Sequence, residues 1–160
     1  PNWGWEDGPA YTKFAYNNFD PQGRGDFKAA FTDLFRQATE TGVEFFGLCA
    51  DNPYNYYTFT QPSNQSNLTS LVDWPERVRT LERFAEDRGM NFILIANTGD
   101  ATTGEEFQNG VVNYVTDYKA GGGTPYAYMV QSWYAVPTNA LPETNSFSMA
   151  NTVLEAFQRF

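Results

Sequence analysis

Apolar residues occur in three short continuous runs along this chain, and each run predicts a buried β-strand. The runs cover residues 43–50, 92–96 and 126–131. Most successive positions in them are apolar, whereas a strand with one solvated face alternates apolar and polar residues. Both faces of these strands should therefore be buried, as is typical of parallel strands.

The segments around these runs have apolar residues at helical spacing, together with signals for helix ends. The predicted helices cover residues 26–40, 75–88, 103–119 and 147–160. Asp26 has the character of an N-cap, and Gly42 and Gly89 stand where a helix favours a terminating glycine. Thr103 with Glu106 has the spacing of a capping box, which fixes the start of the third helix.

The order of these elements predicts one α/β domain, or a segment of a barrel, over residues 1–160. Residues 1–25 form an aromatic loop region in which residues 11–16 could be a short strand. Residues 26–160 supply one helix followed by three strand–helix units, which implies parallel strands with right-handed crossovers. We expect the carboxyl half of a (β/α)8 barrel, and the alternative is a small open doubly wound sheet.

Charge and composition exclude several classes of function. The chain has ten Lys and Arg against nineteen Asp and Glu, a net charge of −9, which disfavours nucleic acid and anionic membrane surfaces. No apolar run reaches the roughly 20 residues of a membrane span. The absence of His excludes a Ser-His-Asp triad and a His-ligated metal. We predict no metal, no cofactor and no membrane insertion.

Two sequons, together with an acidic composition rich in Tyr, Trp and Asn, favour an extracellular protein, and the single cysteine is expected to be buried. Cys49 lies inside an apolar run and cannot form an intramolecular disulfide, so we expect an inert buried thiol. Asn64 and Asn67 each begin an N-glycosylation sequon in a polar segment. The chain starts at Pro1, which fits a mature secreted product or a piece of a longer protein.

The loops after the predicted strands carry most of the candidate chemistry, because the carboxyl ends of parallel strands meet at one edge. Three acids in these loops, Asp51, Asp100 and Glu143, should lie at that edge. Cleavage of a glycosidic bond uses such paired carboxylates. Sugars also need aromatic faces and amides. The side chains that could provide them are Asn52, Tyr54, Tyr56, Asn97, Gln131, Trp133 and Tyr134.

Each of these residues also has a structural interpretation. Asp51 precedes Asn-Pro and could form an Asx-turn, while Asp100 could help to start a helix. Glu143 could be a solvated loop charge. Trp133 could pack beneath a loop, as aromatic residues at strand ends often do. The sequence leaves these alternatives open.

Two stretches of the chain resemble known secreted barrels. The late strand–helix units of secreted microbial (β/α)8 barrels are similar to Asp73-Trp74-Pro75-Glu76-Arg77 with residues 92–97. The closing segment of glycoside-hydrolase-like barrels is similar to Gln131-Ser132-Trp133-Tyr134, Leu141-Pro142-Glu143-Thr144 and Phe147. The resemblance covers about residues 26–160 and implies the final strands of such a barrel. In many of these hydrolases an earlier strand carries one catalytic carboxylate, so the resemblance supplies no complete pair.

The sequence therefore predicts an extracellular, carbohydrate-active protein that acts on or binds a polysaccharide through its strand-end loops. A non-catalytic glycan-binding or self-assembling module is the alternative. A small domain for a phosphorylated ligand is disfavoured, because the glycines at 121–123 precede a strand instead of following one. We expect Asp51 and Trp133 at the same end of the sheet. We also expect residues 1–25, further chain or another subunit to cover an outer strand.

Overall fold

A computed structural model describes residues 3–5, 27–58 and 74–160, which contain four strands and five helices. The strands are β1 (Trp3–Trp5), β2 (Gly47–Asp51), β3 (Asn91–Ala96) and β4 (Ala127–Val130). The helices are α1 (Phe27–Glu40), α2 (Tyr54–Tyr57), α3 (Trp74–Glu86), α4 (Gly104–Ala120) and α5 (Met149–Phe157). Each strand is followed by a long helix, so the described chain consists of four consecutive βα units.

All four strands are parallel and are hydrogen-bonded in the order β1-β2-β3-β4. This confirms the predicted α/β class, with parallel strands alternating with helices. The register places Gly4 beside Cys49, and Cys49 beside Ile93. β1 therefore covers the edge of β2, so residues from the N-terminal segment provide the covering that the sequence predicted.

The long helices share one face of the sheet. Leu48, Phe92 and Leu94 point to that face, and the main core unites them with apolar residues of α3, α4 and α5 and with partly buried residues of α1. The opposite face carries a separate cluster of Cys49, Ile93 and Ile95. A doubly wound sheet has helices on both faces and reverses its strand order. The described part of the chain has neither feature.

The first predicted strand, residues 43–50, begins too early. Val43 closes the last turn of α1, where its N–H donates to the carbonyl of Ala38 at 2.8 Å. The ring of Phe45 packs against Phe35 of α1, with ring centres 5.0 Å apart. Val43 and Phe45 thus take part in the contacts of α1, whereas the ring of Phe46 packs against Tyr126, and β2 begins only at Gly47.

Strand β1 lies within residues 1–25, which the sequence predicts to be an aromatic loop region with a possible short strand at residues 11–16. Trp3–Trp5 form a parallel strand, whereas the short strand considered at residues 11–16 lies outside the described residues. Three residues with a central glycine are too few for a recognisable strand pattern. Pairing with β2 defines this strand, and no local sequence signal announces it.

The helix ends follow the local signals closely. Thr103 and Glu106 form the predicted capping box, with Glu106 N–H donating to the Thr103 hydroxyl at 3.1 Å. The last helix starts later than predicted, after the N-cap Ser148, because Phe147 has a φ of 63° that no helical residue adopts. None of the described helices combines the length and the apolar composition of a membrane span.

Candidate functional site

Two polar side chains meet where β2 and β3 end. Asp51 is the last residue of β2, and Asn97 directly follows β3. Side chains alternate along a strand, so both positions lie on the face opposite the helices, in line with Cys49 and Ile95. The amide Nδ2 of Asn97 donates to Oδ1 of Asp51 at 2.8 Å, and both side chains are buried.

Trp133 joins this pair from the loop after β4. Its indole Nε1 donates to Oδ2 of Asp51 at 3.2 Å, although the side chain is 63% exposed. Each carboxylate oxygen of Asp51 therefore accepts a hydrogen bond from a different loop. We call Asp51, Asn97 and Trp133 the Asp51 cluster. Its geometry confirms that Asp51 and Trp133 lie at the same end of the sheet.

The loop that presents Trp133 is closed by its own hydrogen bonds. The hydroxyl of Ser132 donates to the carbonyl of Val136 and accepts from the N–H of Tyr134 at 3.2 Å. Tyr134 is exposed beside Trp133, and Gln131 is partly buried at the end of β4. The loop thus displays two neighbouring aromatic side chains to solvent.

The loops after β2 and β3 are tied together beneath the cluster. The N–H of Tyr54 donates to the carbonyl of Asn97 at 2.9 Å, and the N–H of Gly99 donates to Oδ1 of Asn55 at 2.9 Å. Asn55 is buried, and sequence reasoning missed its role. The signal available was only its position four residues after Asp51, in a loop already identified as a candidate.

Close packing of α4 holds the loop after β3 from the other side. A Cβ at Gly110 would lie 2.6 Å from Cγ2 of Thr98, so only glycine lets the helix approach this closely. The hydroxyl of Thr98 in turn donates to Oδ1 of Asp100 at 2.7 Å. The backbone that carries Asn97 is therefore fixed by contacts on both sides.

The side chains of Tyr54 and Asn52 point toward the helices. The Tyr54 hydroxyl donates to Asp117 of α4 at 2.7 Å, and burial, followed by this bond, raises the pKa of the phenol well above its usual value. Asn52 is buried in a small cavity beside Trp74 and Val78 of α3. Tyr56 lies in α2 with Tyr54. Sequence reasoning grouped these residues with Asp51 because they follow the same strand.

The other two candidate acids are exposed on separate loops. Asp100 accepts from Thr98, as a short turn preceding α4 would require. Glu143 is exposed, and its backbone carbonyl accepts from Nδ2 of Asn151 at 2.9 Å. Asn151 also accepts from Gln108 of α4 at 2.7 Å, so it fastens the 143–147 turn to two helices. Hydrogen bonds thus tie Asp51, and not these two acids, into the cluster.

Cys49 is a free, buried thiol on the same face as Asp51, two residues earlier in β2. Burial, with a smaller contribution from the charge of Asp51, raises its pKa to about 11. A thiol is a poor nucleophile when so little of it is ionised. This agrees with the prediction of an inert core cysteine.

Two further sequence predictions concern ligands and glycans. In residues 3–5, 27–58 and 74–160, no three His, Cys, Asp or Glu side chains are grouped as a metal site would require. Asn64 and Asn67 lie outside the described residues.

Comparisons with family models, curated proteins and solved structures give no match to this chain. The function must therefore be argued from the Asp51 cluster itself.

Proposed function

We propose that the Asp51 cluster is a carbohydrate-binding surface of an extracellular protein, with Trp133 as its stacking platform. The observation that carries the proposal is the state of Trp133, whose polar N–H is bound to a buried carboxylate while its ring stays open to solvent. An isolated exposed tryptophan would sample several rotamers. Here the hydrogen bond holds the ring in one orientation, which lowers the entropy lost on binding a flat ligand.

The neighbouring groups suit a sugar. The apolar face of a pyranose stacks on an aromatic ring, while its hydroxyls need donors and acceptors at the rim. Tyr134 extends the aromatic surface, and the partly exposed Gln131 offers an amide near the end of β4. The net charge of −9 disfavours acidic polysaccharides, so neutral glycans are the proposed class.

The topology supports assigning the sheet to an arc of a (β/α)8 barrel. Four consecutive βα units in unreversed order, with the long helices on one face, are the arrangement of such barrels. Ligands in these barrels bind at the carboxyl ends of the strands. The Asp51 cluster lies at that end, on the face that would line the barrel.

Hydrolysis is a narrower form of the same proposal, in which Asp51 supplies one of two carboxylates. Retaining enzymes place them about 5–5.5 Å apart and inverting enzymes about 6.5–9.5 Å apart. Glu143 is the candidate for the second carboxylate, because it lies in the loop between β4 and α5 that also carries Trp133. If the chain hydrolyses a glycan, Asp51→Asn and Glu143→Gln should each lower kcat by at least about a hundredfold. An unchanged kcat in both variants would mean that Asp51 and Glu143 are not the catalytic carboxylates.

The binding proposal is tested with the full 160-residue chain and a panel of neutral polysaccharides, namely a β-glucan, an α-glucan and chitin. Trp133→Ala should weaken binding to the recognised polymer by at least about tenfold, since it removes the stacking surface. Trp133→Phe keeps an aromatic ring but loses the bond to Asp51, so its affinity should fall between those of the parent and Trp133→Ala.

Tyr126→Ala is the matched control. Tyr126 is 62% exposed, almost the same fraction as Trp133. It precedes β4, however, and therefore lies at the amino end of the strands, opposite the Asp51 cluster. Its replacement should leave binding unchanged. Equal losses in the two alanine variants, or no binding to any polymer of the panel by the parent chain, would contradict the proposal.

A further inference from the structure

The two outer strands of the described sheet, β1 and β4, each have one unpaired edge. Its hydrogen-bonded order begins at β1 and ends at β4, and among the described residues no strand pairs with the outer edge of either. Unpaired edge strands offer backbone donors and acceptors to another strand. Met129 of β4 is 41% exposed, although its neighbours in the same row, Asp51 and Ile95, are buried.

An apolar groove runs beside the β4 edge, between this strand and α5. It has a volume of about 230 Å³ and is lined almost entirely by apolar side chains. Among them, Phe157 is 71% exposed, and Tyr126 and Val153 are also exposed. Large apolar side chains that are exposed side by side in this way can mark a surface on which another element packs. The groove lies where the helix of a next βα unit would pack.

The number of strands in the described residues points to a second copy of the chain as the occupant. The described chain supplies four βα units, half of the eight that close a parallel barrel. Its outer strands, β1 and β4, are the two that a second half-barrel would meet. A two-fold axis along the barrel keeps all strands parallel and places β4 of each copy beside β1 of the other. One symmetric operation would thus cover both open edges and both grooves.

We propose that two copies of this chain associate through these edges and close an eight-stranded parallel barrel. In this dimer α5 of one copy packs against α1 of the other, which covers Val153 and Phe157. The two-fold axis places both Asp51 clusters at the same mouth of the barrel. The proposal shares the barrel arc with the proposed function, but it does not depend on any sugar.

The deciding experiment is the molar mass of the 160-residue chain, measured by light scattering and sedimentation at several concentrations. We expect twice the chain mass of 18.1 kDa. Each copy carries a charge of −9, so the dimer should dissociate more readily at low ionic strength. A monomer at all salt and protein concentrations tested would overturn the proposal. Oligomers that keep growing with concentration would also overturn it, because a closed barrel has no free edge.

Phe157→Glu tests the interface against a matched control. A buried glutamate would oppose association, so we expect at least a hundredfold rise in the dimer dissociation constant. Leu141→Glu changes a side chain of equal exposure, 70%, in the loop after β4, and should leave the dimer intact. Val153→Glu provides a second groove variant, and circular dichroism reports folding. A dimer that survives both groove variants would contradict this interface. Glycan binding measured in monomeric Phe157→Glu separates this test from that of Trp133.

Discussion

Glu82 shows at the scale of one residue how the fold tolerates a buried acid remote from the Asp51 cluster. Its side chain is 3% exposed and accepts hydrogen bonds from the Tyr118 hydroxyl at 2.9 Å and the Thr124 N–H at 2.8 Å. Burial raises the pKa of this carboxyl, while the two hydrogen bonds oppose that rise. Glu82 thereby fastens α3 to α4 and to the return before β4.

This raised pKa predicts the pH dependence of a Glu82→Gln variant. The folded state binds the Glu82 proton more tightly than the unfolded state, whose value is near 4.5. The associated stability is complete below that pH and is lost as pH rises through the folded pKa. The stability of Glu82→Gln relative to the parent should therefore increase with pH, with a slope of at most about 1.4 kcal/mol per pH unit. Urea unfolding from about pH 4.5 to about pH 8 measures it.

Glu44→Gln, an exposed change in the connection between α1 and β2, is the control for this prediction. Its stability relative to the parent should vary much less over the same range, because solvent screens its charge. A relative stability of Glu82→Gln that is flat, or that falls with pH, would contradict the assigned direction.

The sequence could predict which residues lie at the site only where the alternation of side chains along a strand determines the face on which they lie. Asp51, Asn97 and Trp133 were identified because they follow parallel strands, and the structure joins them. Asn52 was grouped with them by proximity in sequence, but neighbouring strand positions point to opposite faces, so it turns toward α3. Tyr54 was grouped with them for the same reason, and the short helix after β2 directs its ring to α4.

At the scale of elements, the capping box of α4 gives a direct test. Thr103→Ala removes the hydroxyl that accepts from the Glu106 N–H and should lower the free energy of unfolding by about 1 kcal/mol. Thr116→Ala alters an exposed threonine in the interior of the same helix, where alanine is the better helix former. It should be neutral or slightly stabilising. Equal destabilisation by both changes in urea unfolding would argue against a capping role.

Elements with strong local signals were predicted well, and those defined by distant contacts were not. Helix α4 has its cap and its apolar stripe in its own sequence, and β3 is an unbroken apolar run. By contrast, β1 has three residues and exists through pairing with β2. The start of β2 was misplaced because Phe45 packs against Phe35 of α1 and Phe46 packs against Tyr126, and sequence alone cannot distinguish these apolar residues from those of a strand.

At the scale of the whole molecule, the sequence could not decide between helices on one face and helices on both. Parallel strands are apolar on either face in both arrangements, so their composition is the same. The structure separates the faces by their neighbours, since the helices surround Leu48 and Leu94, while Cys49 and Ile95 form the second cluster. Long-range packing decides which faces of the sheet the helices cover, so the residue pattern of a single strand does not indicate it.

The rate at which a thiol on the face opposite the helices is modified measures how readily the sheet unfolds. Cys49 lies in β2 between two other strands, is buried, and has a pKa near 11. We expect a thiol reagent at about pH 8 to modify it at least about a thousandfold more slowly than a free cysteine. Modification should require global unfolding, because opening a central strand disrupts the sheet. Fast modification without denaturant would contradict this expectation.

A cysteine at the edge of the same face extends the test to assembly. Met129→Cys in a Cys49→Ala background places the thiol on β4, where it is accessible in an isolated copy. If two copies close a barrel, this thiol should be protected in the dimer and should react quickly once Phe157→Glu separates the copies. Equally fast labelling in both proteins would mean that β4 remains an open edge. The ratio of the labelling rates in the separated copies and in the dimer therefore measures how much barrel closure adds to the protection of the inner face.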